Sequence, residues 1–268
     1  MDKMAARVVQ AVTDGVPPDL LINASLTPIQ LIPDSSVFIQ AALGWSGIPS
    51  FSIHATCLSF LAGLQTASAL LVAGSHKRIV VVSSEQGTVC RDPEHPESAA
   101  LIGDGAAAVS MIVHPDSQVL GLRMATFPEH ADLAELRGCG TRAHPNDPRT
   151  VPADNLFRMR GPRIYKAAVG KVMEQVDGLL GDLGLTPDDI DLLVPHQASG
   201  PGVIAMEKLR VPRERIVNIV AKYGNCIAAS LPMALAQAHE SGRLKRGHKV
   251  MLVGTGAGLS VGVAILVW

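Results

Sequence analysis

Cys57 is the residue of this chain best placed for covalent chemistry. It lies in "FSIHATCLSFLAG" (51–63), where an apolar run gives way to small residues at helical spacing. A helix N-terminus offers unsatisfied N–H groups and a partial positive charge. Both favour a thiolate, and such a position lowers a cysteine pKa from ~8.5 into the range ~3.5–7.5. Ala55, Ser59, Ala62 and Gly63 leave open backbone around it. His196 closes the apolar run "DLLVPHQ" (191–197). Carboxyl ends of parallel strands are where such sheets bind ligands, so His196 is a candidate general base or hydrogen-bond donor beside the thiol. Asn225, in "YGNCIAAS", heads a predicted helix and would donate to a carbonyl oxygen. Each has a plain structural alternative: a buried thiol, a satisfied core histidine, an asparagine in a turn or N-cap.

These side chains need elements to hold them. "DLLINAS" (19–25), "RIVVVSS" (78–84), "DLLVPHQ" and "KVMLVGTG" (249–256) are continuous apolar runs, as strands of a sheet covered on both faces require. Helices are predicted over 58–73, about 163–181, 201–209 and 228–241. Strands separated by helices imply parallel sheets and an α/β fold. The stretch 127–162, rich in Pro, Arg, His and Asp, reads as a partly irregular surface excursion.

The chain also echoes itself. "DLLINAS" matches "DLLVPHQAS"; Cys57 and Cys226 each begin a helix that ends at a glycine (Gly74, Gly242) before an apolar strand. Each half closes on a small-residue strand, "GDGAAAVSMIV" (103–113) and "GLSVGVAILVW" (258–268). Two similar halves follow, 1–118 carrying the cysteine and 119–268 carrying His196 and Asn225. By this symmetry Asn225 should sit opposite Cys57. The second half opens with a strand, "VLGLRMATF" (119–127), whereas the first opens on the helix "KMAARVVQAVTDG" (3–15). On this reading the chain begins inside a domain, with a central strand of the first half missing.

Two familiar patterns fail in context. "GDGAAA" (103–108) matches a dinucleotide-binding turn, but a strand rather than a helix follows it. "GLSVG" (258–262) matches a nucleophile elbow, but neither a helix nor a later acid and histidine follows the serine. The nine histidines show no metal-ligand spacing, and cysteines 57, 90, 139 and 226 form no C-x-x-C pair. No cofactor and no metal are expected. A net charge of −1 points away from nucleic acid and membrane surfaces. The 268 residues, 47% of them hydrophobic, suffice for a large core. No run is long and apolar enough to span a bilayer, and no secretory h-region begins the chain. A cytoplasmic protein is the expectation.

The order Cys57, then His196 in "VPHQA" (194–198), then Asn225 in "YGN" (223–225) followed by "AAS" (228–230), joins the "GDGAAA" stretch and the closing "GAGLSVG". This set, spread over nearly the whole chain, resembles the thiolase-fold condensing enzymes, and among them the β-ketoacyl-(acyl carrier protein) synthase III family. The resemblance implies two duplicated α/β halves in five layers, the N-terminal half being truncated. It implies that Cys57 takes an acyl group from a thioester and that a malonyl thioester then loses carbon dioxide and attacks it. His196 and Asn225 would hold the malonyl carbonyl. Backbone N–H groups of Cys57, Gly256 and Gly258 would form the oxyanion hole. Acyl-CoA or an acyl carrier protein would be substrate or partner, and the chain would form a homodimer. The sequence departs from the family at Ser199, Pro201 and Pro162, and in "DPEHPESAALI" before the "GDG" turn. Arg158, Arg160 and Arg163 are candidate contacts to CoA phosphate or carrier, or a solvated face. Acyl transfer to an alcohol or amine stays open on these departures, and a non-catalytic partner role on the truncated start.

Overall fold

The apolar runs form strands whose alternate residues serve different layers. A computed structural model describes residues 1–268. In chain order come α1 (Asp2–Thr13), β1 (Leu20–Asn23), α2 (Ser35–Leu43), β2 (Ser50–Ser52), α3 (Ser59–Val72) and β3 (Arg78–Gln86). Then follow α4 (Pro96–Ala99), β4 (Asp104–Ile112), β5 (Gln118–Thr126), β6 (Ala134–Glu135), β7 (Arg158–Met159) and α5 (Gly161–Leu183). The chain ends with β8 (Leu192–Pro195), α6 (Gly200–Ile204), α7 (Val220–Tyr223), α8 (Ser230–Glu240), β9 (Lys249–Gly256) and β10 (Ser260–Val267).

Two four-stranded sheets result, ordered β2-β1-β3-β4 and β5-β10-β9-β8. The strands β2, β1 and β3 are parallel, as are β8 and β9; β4 and β10 run antiparallel to their neighbours. Along β3, Ile79 and Val81 face the core between the sheets, while Val80 and Val82 face α1 and α2. Along β9, Val250 and Leu252 face the same central core, while Met251 and Val253 face α5. The central core of 24 buried residues adds Phe60, Leu61 and Leu64 of α3 and Leu231 and Leu235 of α8. Helix, sheet, helix, sheet and helix make five layers, and the fold is thiolase-like. Each fully buried Leu, Ile or Phe contributes about 1.5–3 kcal/mol, so this shared core binds the two halves into one body.

The internal echo recurs in hydrogen bonding. Asp19 accepts the Lys77 and Arg78 N–H groups at the start of β3, and Asp191 accepts that of Lys249 at the start of β9. A single constant step in residue number relates Arg78 to Lys249, Ser59 to Ser230 and Thr56 to Ile227. The last two share φ 51°, rare for a β-branched residue. This register shifts the echo that set Cys57 against Cys226 by two residues. The counterpart of Cys57 is Ala228, and that of Asn225 is His54. Cys226 precedes a 3-10 turn (Ile227–Ala229), and α8 itself begins at Ser230.

Three further differences have local causes. The predicted helix 201–209 is α6 followed by a 3-10 turn over Ala205–Leu209. The sequence reading did not anticipate α2, although Asp34 caps it by accepting the Ser36 N–H and Gly44 ends it at φ 69°. The strand β5, opening the second half, is an edge strand beside β10 rather than a central one. The corresponding edge of β4 has no partner strand in this chain. The excursion holds only 3-10 turns and the β6–β7 ribbon. No helix is long and apolar enough to cross a membrane.

Candidate active site

Cys57 sits two residues before α3, on a turn that Ser59 ties down. The Ser59 hydroxyl donates to the Thr56 carbonyl at 2.7 Å and accepts the Ala55 N–H at 3.0 Å. The positive φ of Thr56 costs on the order of 1–3 kcal/mol, which packing must hold. Gly63 lets α3 sit close on the sheet, since a Cβ there would lie 2.9 Å from Val81 and 3.0 Å from Ala24. The Cys57 turn meets the end of β9, where a Cβ on Gly256 would lie 2.5 Å from the Thr56 hydroxyl.

The expected low thiol pKa is not what this environment produces. Burial, with the nearby Glu85 carboxylate second, pushes the Cys57 thiol up to about 12. The N–H groups of Ala257 and of Cys57 itself favour the thiolate but do not outweigh those two effects. The second donor is thus Ala257, which lies between Gly256 and Gly258. Gly258 shapes that turn at φ 130°, which L side chains rarely adopt.

His196 extends β8 beside β9, its N–H bonded to the Val253 carbonyl at 2.7 Å. Gly254 makes room for it: a Cβ there would lie 2.9 Å from the His196 Cβ and 3.1 Å from Leu58, next to Cys57. The imidazole and the cysteine turn therefore flank one glycine. Burial lowers the His196 pKa to about 4, so the ring is neutral at neutral pH. Its Nδ1 is enclosed without a hydrogen-bond partner. Gln197, fully buried, holds the neighbouring segment: its amide donates to the Pro195 and Val217 carbonyls and accepts the Ile219 N–H.

Asn225 is clamped by the "GDG" turn. Its N–H donates to Leu101 O at 2.6 Å, and its carbonyl accepts the Gly103 N–H at 3.0 Å. Its side-chain Oδ1 accepts the Ile227 N–H at 2.9 Å, which leaves the amide NH₂ free to donate. The glycines of "GDGAAA" serve this close approach. A Cβ on Gly103 would strike the Tyr223 carbonyl, and one on Gly224 would lie 2.6 Å from Leu101 O. The strand β4 follows directly, so no helix N-terminus is available for a phosphate.

Glu85, at the end of β3, was not singled out from sequence; a charge ending the run "RIVVVSSE" was its only signal. It is fully buried, and its charge acts on Cys57, Cys90 and Cys226. Of the three arginines, Arg158 pairs with Asp92 at 3.1 Å and Arg160 with Asp132 at 3.0 Å, while Arg163 is exposed and forms no ion pair. Two surface cavities of about 240 Å³ each lie in the excursion, around Arg137 and Asp154, away from the three polar residues. No group of three or more His, Cys, Asp or Glu is arranged to hold a metal ion.

Comparison with known proteins agrees with this architecture. Residues 51–127 match the family model for 3-oxoacyl-[acyl-carrier-protein] synthase III, and residues 180–268 match that for its C-terminal part. A β-ketoacyl-[acyl-carrier-protein] synthase III of Aquifex aeolicus is 32% identical over 250 residues, covering 92% of this chain and 76% of that protein. One from Streptomyces coelicolor is 34% identical over 257 residues, covering 93% and 76%. The crystal structure of the Aquifex aeolicus 3-oxoacyl-[acyl-carrier-protein] synthase III superposes with a TM-score of 0.89 at 30% identity, over all of this chain and 83% of that one. That from Thermus thermophilus gives 0.88 at 30% identity, over 100% and 84%. With relatives at this identity and coverage, the chain belongs to the β-ketoacyl-[acyl-carrier-protein] synthase III family of condensing enzymes.

Proposed function

We propose that this chain forms an acyl-cysteine from an acyl thioester and condenses it with a malonyl thioester, in fatty acid biosynthesis. The observation that carries this reading is the junction of the Cys57 turn with the end of β9. It offers a nucleophile and two backbone donors, Cys57 and Ala257, beside a neutral imidazole.

Cys57 rests as a thiol. Its sulfur attacks the thioester carbonyl while the S–H proton passes to the departing thiolate, so no free thiolate has to accumulate. The Cys57 and Ala257 N–H groups receive the carbonyl oxygen as it gains charge, where one positioned donor is worth about 2.7–4 kcal/mol. Malonyl thioester binds next, its carbonyl held by the Asn225 amide and the His196 ring. A neutral ring suits donation from one nitrogen, and with Nδ1 enclosed that nitrogen is Nε2. The carboxylate leaves as carbon dioxide and its electron pair becomes the enolate. The enolate carbon attacks the acyl carbon, the C–S bond breaks, and Cys57 recovers a proton.

Acyl-CoA or an acyl carrier protein would deliver the acyl group, with Arg163 the arginine left unpaired to meet phosphate. A homodimer working in the cytoplasm completes the proposal, and light scattering of the purified chain would test the dimer. The decisive experiment supplies radiolabelled acyl-CoA and malonyl thioester. Label on Cys57 and release of carbon dioxide are expected. Label passed to an added alcohol or amine without carbon dioxide would overturn condensation, and no label on Cys57 would overturn the covalent step.

A further inference from the structure

The fold builds the turn that favours an anion at Cys57 twice. The constant step that relates the halves takes Cys57 to Ala228 and Gly256 back to Glu85. In the second half Gly256 lets the Ala55–Leu58 turn pack close against the end of β9, where the Cys57 and Ala257 N–H groups favour a negative sulfur. In the first half a carboxylate stands at the matching position. The Glu85 carboxylate accepts the Leu26 N–H at 2.6 Å, the Thr27 N–H at 3.0 Å and the Thr27 hydroxyl at 2.6 Å. The 3-10 turn Ile227–Ala229 packs beside the end of β3, where a Cβ on Gly87 would lie 2.9 Å from the Ile227 Cδ1, and the N–H of Ala228, the counterpart of Cys57, favours the same charge.

We propose that Glu85 is a positioning residue for the condensation step, clamping the Leu26–Thr27 turn and the Asn225–Ala228 turn to the end of β3 so that Asn225 stays aimed at the malonyl carbonyl. This rests on the function proposed above. The segments it joins are the loop after β1 and the residues before α8, and Asn225 reaches the second of these through its own bond to Ile227 N–H. The titratable groups that face Glu85 are the thiols of Cys57, Cys90 and Cys226, and its hydrogen-bond partners are all neutral. A buried carboxylate with no cation beside it is costly, so the bonds it receives must hold their geometry. Its charge has a second consequence. Burial comes first in disfavouring the Cys57 thiolate, and like-charge repulsion from Glu85 adds to it.

The test compares the full chain with E85Q, E85D and T27V. One readout is the pH profile of Cys57 alkylation by iodoacetamide, followed by peptide mass spectrometry. The other is carbon dioxide release from malonyl thioester by enzyme already acylated on Cys57. E85Q removes the charge and one acceptor. It should alkylate Cys57 about tenfold faster at fixed pH, a shift of about one pH unit. Its carbon dioxide release should fall about ten- to a hundredfold while acyl labelling of Cys57 is not slowed. E85D should keep the wild-type alkylation profile and recover part of the condensation rate. T27V should show the E85Q changes at smaller size, and it decides the matter if E85Q does not fold. Wild-type values in both readouts for E85Q, or for T27V in its absence, overturn the proposal. So does a parallel loss of labelling and condensation that tracks lost folding. A wild-type chain that alkylates at Cys57 but never releases carbon dioxide would instead sink the proposed function, leaving the alkylation arm to judge the Glu85 charge.

Discussion

Replacing Gly103 with alanine should damage condensation far more than acylation. The new Cβ lands on the Tyr223 carbonyl oxygen and 3.2 Å from the Cys226 sulfur. Backbone cannot swing aside as a side chain can, so the Tyr223–Cys226 segment must move. Overpacking of this kind costs about 1–3 kcal/mol. Weakening the Gly103 N–H to Asn225 bond adds about 1 kcal/mol. A chain of this size loses about 2–4 °C of melting temperature per kcal/mol, so a fall of about 4–16 °C is expected. The catalytic effect should be larger, because the displaced residue is Asn225. Loss of one well-aimed donor lowers kcat by about 10²–10³. Labelling of Cys57 by acyl-CoA should stay within a few-fold of wild type. Gly105→Ala is the control. Its Cβ meets the Met233 thioether, a flexible end that can swing, so stability should change by less than about 1 kcal/mol. Calorimetry, acyl labelling and carbon dioxide release on both variants make the measurement. Equal damage from G103A and G105A, or full condensation by G103A, would refute the clamp.

Other predictions follow from the same residues. His196 is held at about 4 against 6.5 unfolded, so the unfolded chain binds more protons between these values and stability rises with pH there. Glu85 is held at about 7 against 4.5, so the folded chain binds more protons and stability falls as pH rises from 4.5 to 7. Each effect reaches about 3 kcal/mol, and they offset in the overlap. As pH rises from 4.5 to 6.5, H196N, left with only the Glu85 effect, should therefore lose stability, and E85Q, left with only the His196 effect, should gain it; flat urea-unfolding profiles for both would refute this. Gln197→Ala strips partners from buried backbone groups and should cost about 3–5 kcal/mol by urea midpoint; a cost under about 1 kcal/mol would refute the role. R163A should raise KM for acyl-CoA about three- to tenfold at unchanged kcat, and an unchanged KM would remove Arg163 from the binding surface.

Much of this molecule was legible in its residues. The runs at 19–25, 78–84, 191–197 and 249–256 are strands because continuous Val, Ile and Leu can only be covered by helices on both faces. The echo of "DLLINAS" in "DLLVPHQ" disclosed the duplication because both aspartates hold the next strand in the same way. Short elements escaped: β2 and the 3-10 turns carry too few residues for a period to show. Composition and order alone therefore determined the α/β class, the repeat and the candidate trio of Cys57, His196 and Asn225. The register between halves, which pairs Cys57 with Ala228, needed three dimensions, because a few residues of loop shift it without changing the pattern. The same holds for the charge state of the site. Helix position argues for an ionised Cys57, yet desolvation and Glu85, near in space and 28 residues away in sequence, prevail. Burial and through-space charge depend on what packs around a group, and that is decided only when the chain has folded.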